Sequence, residues 1–318
     1  MLQTRFTDMV GCSVPLQQAP IGGASHRLTA AVAEAGGLGM FGAIDYPPTV
    51  LASILDAVRA GTSGVFGVNF LMPFLDRSSV EVAASKVRVV EFFYGEPDAS
   101  LVDLAHDGGA LAGWQIGSRD EARRAVDAGC DFVVAQGVEA GGHVRGTLGL
   151  LPLLSEVLEA VDVPVVAAGG IGSGRAMAAA LAAGADAVRV GTRFIATAEA
   201  EYHATYVDKV IAAWGEDAVL TEAFSVMWPD APHRVLRSCI VAAEAFPGDV
   251  VGEMTVGEEK MPIPRLSPPA PTRDTTGAVE AMALYAGQSV GSVTSLQPSA
   301  TIVRELAEEA ERLLRRWR

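Results

Sequence analysis

The chain has 318 residues, half of them hydrophobic, and a formal charge of −14. That is enough for one large α/β domain or a barrel with an insertion, and the negative balance argues against a nucleic-acid or anionic-membrane surface. No apolar stretch reaches the ~18 residues of a membrane helix. The first residues, MLQTRFTDMV, carry no apolar targeting segment, so the expectation is a cytoplasmic protein. Cys12, Cys130 and Cys239 are far apart and match no zinc spacing, which reads as three reduced thiols.

Short apolar runs recur along the chain: PLQQAP (15–20), LGMFGAI (38–44), VFGVNF (65–70), VVEFFYG (89–95), LAGWQIG (111–117), DFVVAQG (131–137), VPVVAAGG (163–170) and DAVRVGTRF (186–194). Between several of them lie Ala/Leu-rich stretches with apolar residues three or four apart and a glycine stop, such as RLTAAVAEAGG and RDEARRAVDAG. Continuous apolar strands joined by helices mean a parallel sheet covered on both faces. Eight in succession predict a closed (β/α)₈ TIM barrel rather than an open doubly wound sheet.

The rhythm breaks after Phe194. Residues 205–277 read as an inserted cap with two helices, in YVDKVIAAWG and RVLRSCIVAAEA, and a proline-rich exit. The barrel is expected over 1–204 and 278–318. Barrel-like helix is predicted in GAVEAMALYAGQSVGSV, followed by a charged amphipathic helix at the end of the sequence.

Ligands bind where barrel strands end. Those ends hold Gln18, Pro20, Ile21, Gly22, Asn69, Gln115, Gln136, Gly169, Gly170, Gly191 and Thr192, with Glu139 almost the only carboxylate. Amides and glycines suit a flat ligand with polar edges. AAGGIGSGRAM precedes a helix and VRVGTRF ends the eighth strand, the two places where a barrel usually cradles phosphate. Lysine occurs only at positions 86, 209 and 260, none on the rim, which removes a Schiff-base aldolase. Cys130 precedes its strand, and Glu139 with His143 makes a poor metal site. Chemistry carried by a phosphate-bearing cofactor remains, and flavin mononucleotide (FMN) fits. In AQGVEAGGHVRG (135–146), His143 closes a glycine loop beside that site, and an ordinary imidazole, with a pKa of ~6.5, suits proton abstraction from a carbon acid. His106, His203 and His233 read as surface or packing residues, and His26 as following a helix cap.

QAPIGGAS, GGLGMFGA, FGVNFLMP, AQGVEAGGHVRG, PVVAAGGIGSGRAM, ADAVRVGTRFIATAEA and YAGQSVG resemble the nitronate monooxygenase family from about residue 14 to 293. The resemblance implies an FMN-bound TIM barrel with a small cap. It places Pro20, Ile21, Gly22 and Asn69 along the isoalloxazine and ribityl chain, and Gln136, Gly141 and Gly142 at the polar edge. Ala168, Gly169, Gly170, Arg189, Val190, Gly191 and Thr192 fall around the phosphate, and Gln115 and Gln288 match further cofactor-binding positions. His143 matches the catalytic histidine. Arg145 reads either as steering an anionic substrate or as a surface charge, and Tyr285 lies in the substrate segment. The expected reaction is oxidation of alkyl nitronates or nitroalkanes by O₂ to a carbonyl compound and nitrite. The alternative is an NAD(P)H-linked reductase of enoyl thioesters or quinones, since related flavoenzymes share the glycine–histidine loop. A flavin-free isomerase or lyase and a non-catalytic flavin binder are further alternatives. Use of NAD(P)H and a homodimer both stay open.

Overall fold

A computed structural model describes residues 2–256 and 259–317. Eight parallel strands follow the predicted runs: β1 (Leu16–Gln18), β2 (Gly39–Ala43), β3 (Phe66–Leu71), β4 (Val89–Phe93), β5 (Leu111–Ile116) and β6 (Phe132–Gln136), then β8 (Val165–Ala168) and β9 (Ala187–Val190). Between β6 and β8 the glycine loop supplies a two-residue strand, β7 (Gly142–His143). The sheet runs β1-β9-β8-β6-β5-β4-β3-β2. It closes through Gln17 and Leu38, where the Gln18 amide donates to the Leu38 carbonyl at 2.9 Å and the Leu38 amide to that of Leu16 at 2.8 Å. This is the TIM barrel.

The outer ring comprises α2 (His26–Glu34), α3 (Pro48–Ala60), α4 (Arg77–Ala84), α5 (Ala99–Asp107), α6 (Arg119–Asp127), α7 (Leu150–Leu158) and α8 (Gly174–Ala182). Side-chain caps explain several of the starts. Ser25, Asp76, Asp98, Ser118 and Ser173 each accept a hydrogen bond from an amide in the first turn of the helix that follows. The short α1 (Arg5–Val10) plugs the barrel's N-terminal end, with Phe6 meeting Phe132 edge-on at 5.5 Å. Phe132 lies inside the barrel because Gly113 faces it: a Cβ there would come within 2.2 Å of the ring. The lower barrel is apolar, lined by Met40, Val89, Phe132, Val134 and Val166.

Beyond β9 come α9 (Ala204–Ala212), β10 (Ala218–Thr221), β11 (His233–Leu236) and α10 (Arg237–Ala245). A hairpin of β12 (Val250–Val256) and β13 (Glu259–Pro264) follows, with β14 (Thr276–Gly277) pairing on its side. Residues 257–258 of the expected insertion, and the last residue of the sequence, lie outside the described residues. Two expectations are corrected. Residues 234–236, at the start of the predicted second helix, belong with His233 to β11 instead, because the backbone of that strand pairs with both β10 and β7. Residues 277–293 are not barrel-like helix but two 3₁₀ turns, Val279–Ala281 and Gln288–Ser292. The stretch between them is extended, bridging Tyr285 to Val235, and Gly287 packs its backbone against Gly141. The final helix, α11 (Ser299–Leu314), packs on α8 and α2.

Candidate active site

Three of the four glycines in residues 135–146, Gly137, Gly141 and Gly146, lie against neighbouring backbone, and the fourth, Gly142, takes a left-handed φ of +74°. A Cβ on Gly141 would sit 2.4 Å from the Gly287 nitrogen, and one on Gly169 would sit 2.9 Å from the Gly137 carbonyl oxygen, with φ at +106°. Arg234 of β11 staples the loop, donating to the Val138 carbonyl from Nη2 at 2.7 Å and from Nε at 3.2 Å. The Gln288 amide donates to the Glu139 carbonyl, and the Gly287 amide donates to Thr192 Oγ1, both at 2.9 Å. Glu139 is structural. Its carboxylate takes the Leu150 amide at 3.0 and 3.1 Å, capping the N-terminus of α7.

This stapling sets His143 above the end of β6. The Gln136 side chain donates to the His143 carbonyl at 3.0 Å. Among the described residues, Gln136 Oε1 and His143 Nδ1 are buried and have no hydrogen-bond partner. The imidazole stands in an aromatic box. Trp228 lies 3.9 Å away, His233 5.3 Å, Tyr94 5.8 Å and Tyr285 5.9 Å, centroid to centroid. Burial, with His233 beside it, lowers the His143 pKa to about 3. The ordinary basicity expected from sequence is therefore absent from this pocket, and the imidazole is neutral at physiological pH. Of the surface and packing roles expected for His233, burial leaves packing, since it is fully buried. Its Nε2 accepts the Phe224 amide at 3.2 Å and its Nδ1 faces the Ala231 carbonyl at 2.9 Å, which fixes the neutral Nδ1–H tautomer.

Beneath His143 the barrel holds a polar layer that sequence reasoning missed. Glu91, mid-strand in β4, is fully buried and paired with Arg189 of β9. Gln17 donates to Glu91 at 3.0 Å and Asn69 at 2.8 Å, while Arg189 donates to Gln17 at 2.9 Å and to Gln115 at 2.5 Å. Two of the expected cofactor residues, Asn69 and Arg189, thus meet on one carboxylate, and a third, Gln115, accepts from Arg189. Arg189 points into the barrel and away from the expected phosphate position, because alternate residues of a barrel strand face the interior. The direction of its side chain was not legible in the sequence.

On the β8 and β9 side, Gly169 and Gly170 adopt left-handed φ of +106° and +67°. Among the described residues no backbone carbonyl accepts from the amides of Gly170, Gly191 or Thr192. Ala168 and Val190 are buried beneath them. Pro20, Ile21 and Gly22 are half-buried after β1, with Tyr202 donating to the Gly22 carbonyl at 2.7 Å. Gln288 is exposed, at the start of the 3₁₀ turn Gln288–Ser292. Arg145 is not a free cation: its guanidinium pairs with Glu96 and, through Nε at 2.8 Å, with Glu121. Tyr285 joins the box, its hydroxyl donating to the Pro268 carbonyl at 2.8 Å. Cys130 is buried, its thiol pushed up to about 12 by burial, which agrees with its exclusion as a nucleophile.

The family profile described as nitronate monooxygenase matches residues 3–84 and 74–309. The chain belongs to the nitronate monooxygenase family. It is a flavin-dependent oxidoreductase. It is similar to FabK from Thermotoga maritima, with 31% identity and a TM-score of 0.84 over 100% of this chain and 99% of that one. It is also similar to the nitroalkane oxidase of Streptomyces ansochromogenes, with 30% identity and a TM-score of 0.80 over 98% and 99% of the two chains. A third relative is the (3aS,4S,5R,7aS)-5-hydroxy-7a-methyl-1-oxo-octahydro-1H-indene-4-carboxyl-CoA dehydrogenase of Rhodococcus jostii. It is 35% identical over 255 residues, 79% of this chain and 70% of the relative.

Proposed function

We propose that the protein is an FMN-dependent enzyme that oxidises alkyl nitronates with O₂ to a carbonyl compound and nitrite, and that His143 is the residue facing the substrate. The observation that carries this reading is the unpartnered pair at the top of β6, His143 Nδ1 and Gln136 Oε1. Two buried polar atoms without partners in an otherwise apolar box mark a place for a polar ligand. The residues suit FMN. Gln136 Oε1 would accept from the flavin's polar edge, Asn69 and Pro20–Gly22 would flank the ring and ribityl chain, and the amides of Gly170, Gly191 and Thr192 would hold the phosphate. FMN supplies the electron chemistry and the reaction with O₂.

The chain's own part is positioning and proton transfer. A neutral His143 accepts a hydrogen bond or a proton at its free nitrogen, and burial disfavours the imidazolium. A neutral nitroalkane must lose its carbon-bound proton to that weak base, whereas a nitronate has already lost it. Nitronates are therefore the better substrates, and the aromatic wall around His143 keeps water from the reacting carbon. Replacing His143 with Asn is expected to cost roughly 10²–10⁴-fold on a neutral nitroalkane, the usual worth of a general base, and much less on its nitronate. Steady-state oxygen uptake with both forms measures this, and an equal loss on the two would remove the base assignment.

One observation favours a second reading, an FMN- and NAD(P)H-linked reductase of enoyl thioesters or quinones. Arg145, expected either to steer an anionic substrate or to be a surface charge, is neutralised by Glu96 and Glu121, and Arg189, expected at the phosphate, by Glu91, which suits an uncharged conjugated substrate. The relative from R. jostii, whose name specifies a CoA thioester, points the same way.

A further inference from the structure

Residues 222–232 connect β10 to β11 and form a strap over the site. Both ends are tied down. The Phe224 amide donates to His233 at 3.2 Å, and the Pro232 carbonyl takes the Val144 amide at 2.9 Å. The tip is different. Val226, Met227, Pro229 and Asp230 are exposed, yet Trp228 between them is only 8% exposed. Met227 and Asp230 adopt left-handed φ of 76° and 55°, a region that non-glycine residues rarely occupy. Strain at two positions that bracket one buried side chain marks a segment held by that side chain's contacts.

Those contacts lie across the barrel mouth. The indole stacks on His143 at 3.9 Å with a 37° tilt, and meets Tyr94 at 4.8 Å and Phe74 at 5.0 Å, both nearly edge-on. Phe74 follows β3, Tyr94 follows β4 and His143 follows β6, so one ring reaches the ends of three strands. It covers the face of the imidazole. A substrate whose reacting carbon approaches His143 has to share or take that space.

We propose that Trp228 is the specificity-determining wall of the site: it sets the size of substrate that reaches His143, admitting short, unbranched carbon acids and excluding longer or branched ones until the strap moves outward. This rests on the reading of His143 as the group that faces the substrate. Tyr94 and His233 are the other titratable side chains against the box, with Tyr285 behind and Glu222 acting on Tyr94 and His233 from the strap. None of them closes the face that Trp228 covers.

Two measurements on the flavin-loaded full-length protein test the wall. In the first, kcat/KM is compared for the nitronates of nitroethane, 1-nitropropane and 1-nitrohexane. Trp228→Ala is expected to raise the ratio of the longest to the shortest by about tenfold, with Trp228→Phe between it and the wild type. A tenfold change corresponds to about 1.4 kcal/mol of lost exclusion. Loss of packing alone would lower all three together, and an unchanged ratio in both variants would overturn the proposal. The second measurement needs no turnover. Diethyl pyrocarbonate labelling, read peptide by peptide, is expected to modify His143 roughly tenfold faster in either variant, while His106, 39% exposed in the wild type, is unchanged. Equal His143 rates in wild type and both variants would also overturn it. If no nitronate is oxidised but His143 labelling accelerates, the proposed reaction fails and the wall stands.

Discussion

The pair of Glu91 and Arg189 offers the sharpest physical test of the barrel interior. Glu91 is fully buried and Arg189 is 5% exposed, and their remaining polar atoms are spent on Gln17, Asn69 and Gln115. Replacing one partner strands the other charge away from water, which costs about 3–5 kcal/mol. Methionine keeps most of the volume, so the cavity contribution stays small in Glu91→Met and Arg189→Met. With an unfolding entropy near 2.1 cal/mol/K per residue, a chain of 318 residues loses about 4–8 °C of Tm for that penalty. The double variant strands no charge and leaves three amides free to bond one another. It should therefore cost at least about 2 kcal/mol less than the sum of the single changes. Urea unfolding and thermal scans of the four proteins complete the cycle. A single-variant cost under about 1 kcal/mol, or strict additivity, would refute the claim that this pair is desolvated and coupled.

Three further outcomes follow from the site. His143 has its folded pKa lowered to about 3 from an ordinary ~6.5, so the unfolded chain takes up a proton that the folded chain refuses. Stability is fully present above about pH 6.5 and falls as pH drops toward 3, by several kcal/mol; His143→Gln should flatten that slope in urea titrations between these limits, and an unchanged slope would count against the buried neutral imidazole. Gly141→Ala drives a methyl into the Gly287 and Ala286 backbone at 2.4 and 2.6 Å, and should cost about 1–3 kcal/mol of stability by thermal unfolding while displacing the His143 loop. Glu139→Ala removes the carboxylate that caps α7 and should cost about 1 kcal/mol, with Glu139→Gln keeping part of it; no change in Tm would deny the capping role.

The eight strands were legible because each is a short apolar run whose both faces are covered, and because glycine or a capping residue punctuates the helices between. His143 and the glycine loop were legible for a similar reason, as a break in pattern directly after a strand. What escaped was decided by partners distant in sequence. Glu91 sits inside VVEFF, where nothing local shows that Arg189, 98 residues later, will neutralise it. The same pairing turned Arg189 inward from its expected phosphate. Residues 234–236 open a stretch with helix-like spacing of apolar side chains, but β7 and β10 offered them two ladders. Trp228 and His233 gave no local sign of lying beside His143, since only the return of the chain across the barrel mouth puts them there. Tyr94 had a usable signal: it directly follows the apolar run VVEFF, where rim residues gather.

The most direct test of the functional account is the visible spectrum of the purified protein under anaerobic conditions, followed as an alkyl nitronate, NADH and NADPH are added separately. The account predicts a yellow, FMN-loaded protein whose flavin band is bleached by the nitronate with no nicotinamide cofactor present and returns when O₂ is admitted. A flavin that NADH or NADPH bleaches while the nitronate leaves it unchanged would contradict the nitronate reaction in favour of the reductase, and a colourless protein that does not take up FMN would contradict the site itself.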